Sequence, residues 1–216
     1  MNELIFLIHI LTIFGFALVA LKLGKEALTA WIALQAVLAN LFVLKQITFW
    51  GLNITCSDAF AIGSILGLNL LRYYYTPQAA QKALWICLFS MIFFVVMAQF
   101  QLVYQPSPFD STHSAYLTTL SHSPRILTAS LAVFLIIQRL DLYLFSVLHK
   151  LPLFLRNALA VTCSQLLDTV LFTLLGLWGL VDSLTEIIAV SFAVKLIIII
   201  CSSSCMKFLP TRKELS

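Results

Sequence analysis

Three carboxylates, Asp58, Asp141 and Asp168, and four cations, Lys45, Arg125, Arg139 and Lys195, lie within or at the edges of long apolar runs. A charge at the centre of a bilayer costs roughly 2.5–3.5 kcal/mol on insertion scales, so such residues face a cavity or a partner. Two of the acids stand in a local echo. Gln138-Arg139-Leu140-Asp141 leads to Leu144-Phe145, and Gln165-Leu166-Leu167-Asp168 leads to Leu171-Phe172. In both, the amide and the carboxylate are three apart and share a helical face. A carboxylate accepts two parallel N–H bonds, and an amide both donates and accepts, a pairing suited to a flat heterocycle. Ser164 and Thr169 add hydroxyls beside Asp168. The same residues also suit interhelical hydrogen bonds, and Asp168 with Lys195 suits a plain ion pair in which each relieves the other's burial.

Depth divides the seven charges. Lys45, Asp58 and Arg125 fall at segment ends, where long side chains can snorkel to the interface and where Arg125, after Pro124, can mark a helix start. They are candidates for an outer entrance. Asp168 is about 12 residues from Arg156, and Lys195 is about 10 residues into its own segment. At about 1.5 Å per residue both lie near the midplane.

The elements that must position these groups are membrane helices. Of the 216 residues 61% are hydrophobic and 10% charged, and the mean hydropathy is +1.01. That leaves too little polar sequence to coat a soluble domain. The net charge of +4 is therefore not a nucleic-acid signal; what matters is where the charges lie. About 20 apolar residues make a span. Seven stretches qualify, near 4–21, 27–47, 57–75, 83–104, 124–148, 157–179 and 185–208. The third holds Asp58, Gly63, Gly67 and Asn69; if it is re-entrant the count falls to six. The expected fold is therefore an all-α polytopic bundle forming a single integral membrane domain over 1–216. The first segment lacks a basic lead-in and cleavage site and reads as a mature span.

Nine of the 13 Lys and Arg residues (Lys22, Lys25, Arg72, Lys82, Lys150, Arg156, Lys207, Arg212 and Lys213) lie on one side. The loops 48–56, 105–123 and 180–184 on the other side hold none. The positive-inside rule puts the N-terminus outside and the C-terminus in the cytosol. Gly63-x3-Gly67 and Ala189-x3-Ala193 are expected at close helix contacts. Cys56, Cys87, Cys163, Cys201 and Cys205 read as packing residues, and Cys201-x3-Cys205 has no His or acid nearby to complete a metal site. No metal or cofactor is expected.

Ser123-Pro124-Arg125 through Gln138-x2-Asp141, then Ser164-Gln165-x2-Asp168-Thr169, then Lys195, resembles the queuosine-precursor transporter family, grouped with vitamin uptake transporters. Ala39-Asn40-x4-Lys45 and the region of Asp58 are similar to that family's N-terminal half. The resemblance covers roughly 35–208. It implies import of a 7-deazaguanine, queuine or its aminomethyl or cyano precursors, across the bacterial inner membrane for tRNA modification. It also implies a fold similar to the substrate-binding subunits of energy-coupling-factor importers. The chain departs from the family pattern at Ile62, where an acid is common, and at Ser164-Gln165, where an Asn is frequent just before the Asp.

On that resemblance, Asp168 is expected to accept the paired N–H groups of a guanine-like edge, with Gln165 as second reader. Asn40 and Gln138 would face the carbonyl and pyrrole edges. Asp141, Ser164 and Lys195 complete the expected substrate set; with 17 Phe residues the stacking ring is not identifiable. No nucleophile–base set or phosphate loop is present, so chemistry on the solute is not expected. The partners are then the solute and the bilayer, with no direct nucleic-acid contact, and with an ATPase module and the oligomeric state left open. The competing readings are a binding subunit of an energy-coupling-factor importer and an intramembrane enzyme, the latter lacking a Gly-x-Gly-Asp context for its paired aspartates.

Overall fold

The computed structural model describes residues 1–150 and 153–205, with the side chains at 138, 141–142, 145–146, 153–158 and 198–205 excepted. It is predominantly helical. In chain order it has α1 (Asn2–Leu23), α2 (Lys25–Phe42), β1 (Gln46–Phe49), β2 (Leu52–Thr55), α3 (Ser57–Tyr74), α4 (Pro77–Val103), α5 (His113–Leu120), α6 (Ser123–Val147), α7 (Leu153–Phe172) and α8 (Leu184–Cys205). A π-helical turn at Thr173–Leu177 prolongs α7.

Four helical stretches in the described residues are long and apolar enough to cross a membrane: Asn2–Leu23, Pro77–Val103, His113–Ile137 and Leu159–Leu177. Their outer faces are unsuited to water. Leu4, Ile8, Leu11 and Phe16 on α1, and Trp85, Phe89, Phe93 and Phe100 on α4, are all more than half exposed. Side chains this large, exposed in continuous stripes, need a hydrocarbon solvent. The chain is a multi-pass membrane protein built as a helical bundle.

Local sequence sets several boundaries. Gly24, at φ 112°, turns α1 into α2 in a left-handed conformation that a side chain would strain. Thr76 caps α4 by accepting from the Ala79 N–H, and Pro77 takes the first helical position, where no donor is lost. The groove between these two ends is lined by both Lys25 and Lys82, so two of the basic connections lie side by side.

Two elements differ from the sequence expectation. The segment 48–56, read as a plain loop, lies largely in an antiparallel hairpin that pairs Gln46 with Thr55 and Phe49 with Leu52. Its two-residue turn, Trp50-Gly51, has φ of 48° and 81°. This is the geometry whose twist suits a tight hairpin. The bundle is therefore not wholly α. Within 105–123, also read as loop, His113–Leu120 is helical.

The third segment is one continuous helix, α3. Its glycines are contact points instead of breaks. A Cβ on Gly63 would come within 2.7 Å of Gln35 Oε1 and 2.9 Å of Ile13 Cγ2, and one on Gly67 would overlap Ile32. The bare backbone lets α3 lie close against α1 and α2, where Leu28, Ile32, Leu70 and Leu71 form a fully buried core.

The hairpin ties the first helix to the last. Asn2 Nδ2 donates to the Thr48 carbonyl at 2.8 Å, and the Trp50 N–H donates to Glu3 Oε1 at 3.0 Å. On its other side the Asn53 N–H donates to Glu186 Oε2 at 2.7 Å.

Candidate functional site

A cavity of about 280 Å³ opens between α2, α3, α4, α6, α7 and α8. Its walls are mostly apolar: Ile32, Val43, Leu68, Leu88 and Val133 are among them. Into this lining project the polar residues Asn40, Ser57, Asp58, Ser64, Ser130, Asp168 and Lys195. A concave apolar site with a few convergent polar groups is the usual form of a small-molecule site, and this volume suits a small heterocycle.

Helix α8 organises the charges. Ser191 and Lys195 are four apart and so share one face of α8. Ser191 Oγ lies 2.8 Å from both carboxylate oxygens of Asp58 on α3 and donates its proton there. One turn deeper, Lys195 Nζ donates to Asp168 Oδ2 and to Thr169 Oγ1 on α7, both at 2.9 Å. The Asp168–Lys195 ion pair allowed by the sequence is therefore formed. It is open to the cavity: the Asp168 side chain is 34% exposed and that of Lys195 12%.

Asn40 enters from α2. Its Nδ2 donates to the Ala36 carbonyl at 3.2 Å and points at Met91 Sδ at 2.9 Å. Its Oδ1 is buried and has no hydrogen-bond partner. A buried acceptor left unmade costs about 1–3 kcal/mol, so such a group in a cavity wall marks a place where something else donates.

Of the residues expected from sequence to meet a solute, the structure brings together Asn40, Asp168 and Lys195 in one cavity. Gln165 and Ser164 are on α7 but are not among the cavity-lining residues. The Gln165 carbonyl accepts from Thr169 Oγ1, and Ser164 is buried. Gln138 and Asp141 lie on α6, outside the described side chains.

The three residues assigned to an entrance part company. Asp58 is 7% exposed and belongs to the cavity wall, because Ser191 draws its carboxylate inward. Arg125 is occupied at its exposed position: Nε donates to the Leu175 carbonyl and Nη2 to that of Trp178, at 3.3 and 2.7 Å. These carbonyls belong to the π-helical turn and its end, where the regular ladder leaves acceptors unpaired and a cation is favoured. Lys45 is exposed and lies outside the cavity lining. Its carbonyl accepts from the Cys56 N–H at 2.8 Å and so closes the base of the hairpin.

Phe134, Phe172, Ser57, Ser64, Ser130 and Met91 line the cavity without having been singled out for it. The two Phe rings are the aromatic surfaces available for stacking. No spacing separates them from the other Phe residues, although Phe172 closes the second copy of the amide–acid echo. Among the described cysteines, Cys56, Cys87 and Cys163 are free thiols, and Cys87 lies in the cavity wall.

The family described as "Putative vitamin uptake transporter" matches residues 57–208. The chain is also 28% identical, over 204 residues, to the "Probable queuosine precursor transporter" of Bacillus subtilis (strain 168), covering 89% of each protein. No solved structure matches. The matched region includes α3, α7 and α8, which carry Asp58, Asp168 and Lys195.

Proposed function

This chain belongs to the vitamin uptake transporter family, and from that premise we propose that it imports a queuosine precursor, a 7-deazaguanine, across a bacterial inner membrane. The observation that carries the reading is the cavity itself: an apolar pocket inside a membrane bundle, holding two carboxylates, one ammonium and one unpartnered amide oxygen. A deazaguanine is flat and rich in N–H donors, which those acceptors can replace water for. The similar Bacillus subtilis protein bears a name of the same class.

In this reading the free face of Asp168 accepts from the guanine-like edge while Lys195 holds the carboxylate in position. Asn40 Oδ1 accepts from a ring N–H, and Phe134 or Phe172 stacks on the plane of the heterocycle. Gln165 and Ser164 reach the solute only after a rearrangement of α7, and Gln138 and Asp141 of α6 belong to the same substrate set. Arg125 and Lys45 lie on the route in. The solute leaves chemically unchanged.

The seven long helices, α1–α4 and α6–α8, cross as seven spans, with the N-terminus and hairpin outside and the basic ends in the cytosol. One-sided basic residues support this orientation. The carrier works alone; copurification of an ATPase module would instead make it a binding subunit.

The test uses bacteria that neither make nor import queuosine precursors. The chain is expressed, each deazaguanine is supplied in turn, and queuosine is measured in tRNA. At least one compound is expected to restore the modification; failure of all of them overturns the reading.

A further inference from the structure

The cavity holds more negative than positive groups. Among the described residues that line it, the charged ones are Asp58, Asp168 and Lys195. Lys195 is bound to Asp168. It is also within electrostatic reach of Asp58, so one ammonium serves two carboxylates. The only hydrogen-bonding partner of the Asp58 carboxylate among the described residues is the Ser191 hydroxyl. One hydroxyl proton shared between two oxygens satisfies part of a carboxylate's hydrogen-bonding capacity and none of its charge. Asn40 Oδ1 adds a third acceptor, buried and unpartnered.

A carboxylate inside a membrane bundle that only shares a cation with a second acid is costly unless a further cation joins it. Among the described residues, facing groups do not provide a second one. On α4, Cys87 lines the cavity as a neutral thiol; on α1, His9 packs edge-on to Phe60, ring centroids 4.9 Å apart. On the loop before α3, Cys56 is within electrostatic reach of both Asp58 and Lys45, and Lys45 is exposed outside the lining.

We propose that the cavity selects solutes carrying a protonated amine, which Asp58 receives as counter-ion while Asn40 Oδ1 accepts a ring N–H. The inference rests on the deazaguanine reading above and narrows it: amine-bearing 7-deazaguanines are taken in preference to neutral ones. An aliphatic primary or secondary amine is protonated at neutral pH, unlike the ring's own 2-amino group, and charge-assisted hydrogen bonds are about twice as strong as neutral ones.

The test compares ligands that differ at one group. Full-length protein in lipid nanodiscs is titrated with aminomethyl-deazaguanine and with its hydroxymethyl analogue, nearly identical in size but neutral. Queuine, a bulkier secondary amine, and the neutral cyano compound extend the series on either side. The amines are expected to bind about tenfold tighter than their neutral counterparts, in line with one charge-assisted contact. Asp58→Asn is expected to narrow that ratio to about twofold.

Equal binding of the aminomethyl and hydroxymethyl compounds overturns the charge selection while leaving deazaguanine import intact. A preference that survives Asp58→Asn overturns the assignment of Asp58. If none of the four binds, the import reading falls and this inference with it. Should Asp58→Asn not fold, the wild-type ligand ratio decides.

Discussion

Ser191 and Lys195, one turn apart on α8, each hold a different acid of the cavity. The hydroxyl of Ser191 meets Asp58 on α3, and the ammonium of Lys195 meets Asp168 on α7. A single helix face thus fixes two carboxylates from two other helices.

The Lys195–Asp168 pair can be separated into a structural and a binding part. Lys195→Met leaves Asp168 without its ammonium, and Asp168→Asn leaves Lys195 without its paired carboxylate charge, facing the neutral amide and the Thr169 hydroxyl. Breaking a buried pair costs about 3–5 kcal/mol; with Asp168 one-third exposed, about 1–3 kcal/mol is expected for either variant. The double variant Lys195→Met/Asp168→Asn is expected to regain most of that stability, read as thermal unfolding in detergent. Uptake is expected to be lost in all three. Recovery of uptake in the double variant would assign the pair to packing alone.

The contact between α2 and α3 gives a second prediction. Gly67→Ala puts a methyl into Ile32 inside a filled core, with an expected loss of about 1–3 kcal/mol. Gly63→Ala is expected to cost less, because its nearest obstacle is the end of the flexible Gln35 side chain. Thermal unfolding of both purified variants tests the order; an unaffected Gly67→Ala would show that the helices have room to part.

Orientation is testable by labelling. In a Cys56→Ser background, Ser111→Cys in the loop after α4 and Gln78→Cys beside the basic turn are both exposed positions. Intact cells treated with a membrane-impermeant maleimide are expected to label position 111 and spare position 78. The reverse pattern places the basic ends outside.

Apolar runs identify the helices because each must present about 20 hydrocarbon-compatible residues whatever its neighbours are. The sequence also brought Asp168 and Lys195 to one depth, since rise per residue is fixed. It did not reveal the hairpin. Its four-residue strands are too short for alternation to stand out, and Trp50 is an unusual occupant of a left-handed turn. Asp58 looked like an entrance residue by position along the chain. Its burial depends on Ser191, 133 residues away, which no local pattern announces. Arg125 is likewise explained by a π-turn that forms 50 residues downstream. Gln165 shows the limit of spacing arguments: three residues from Asp168, it shares a broad helix face but not the narrow arc that meets the cavity.

The hairpin that grips Glu3 on one side and Glu186 on the other has a consequence for biosynthesis. This clasp stays half fastened until α8 leaves the ribosome, and the same late helix brings Ser191 and Lys195 to the waiting acids. The solute chamber is therefore completed last. A chain that stops before Leu184 has both carboxylates but neither of their α8 partners.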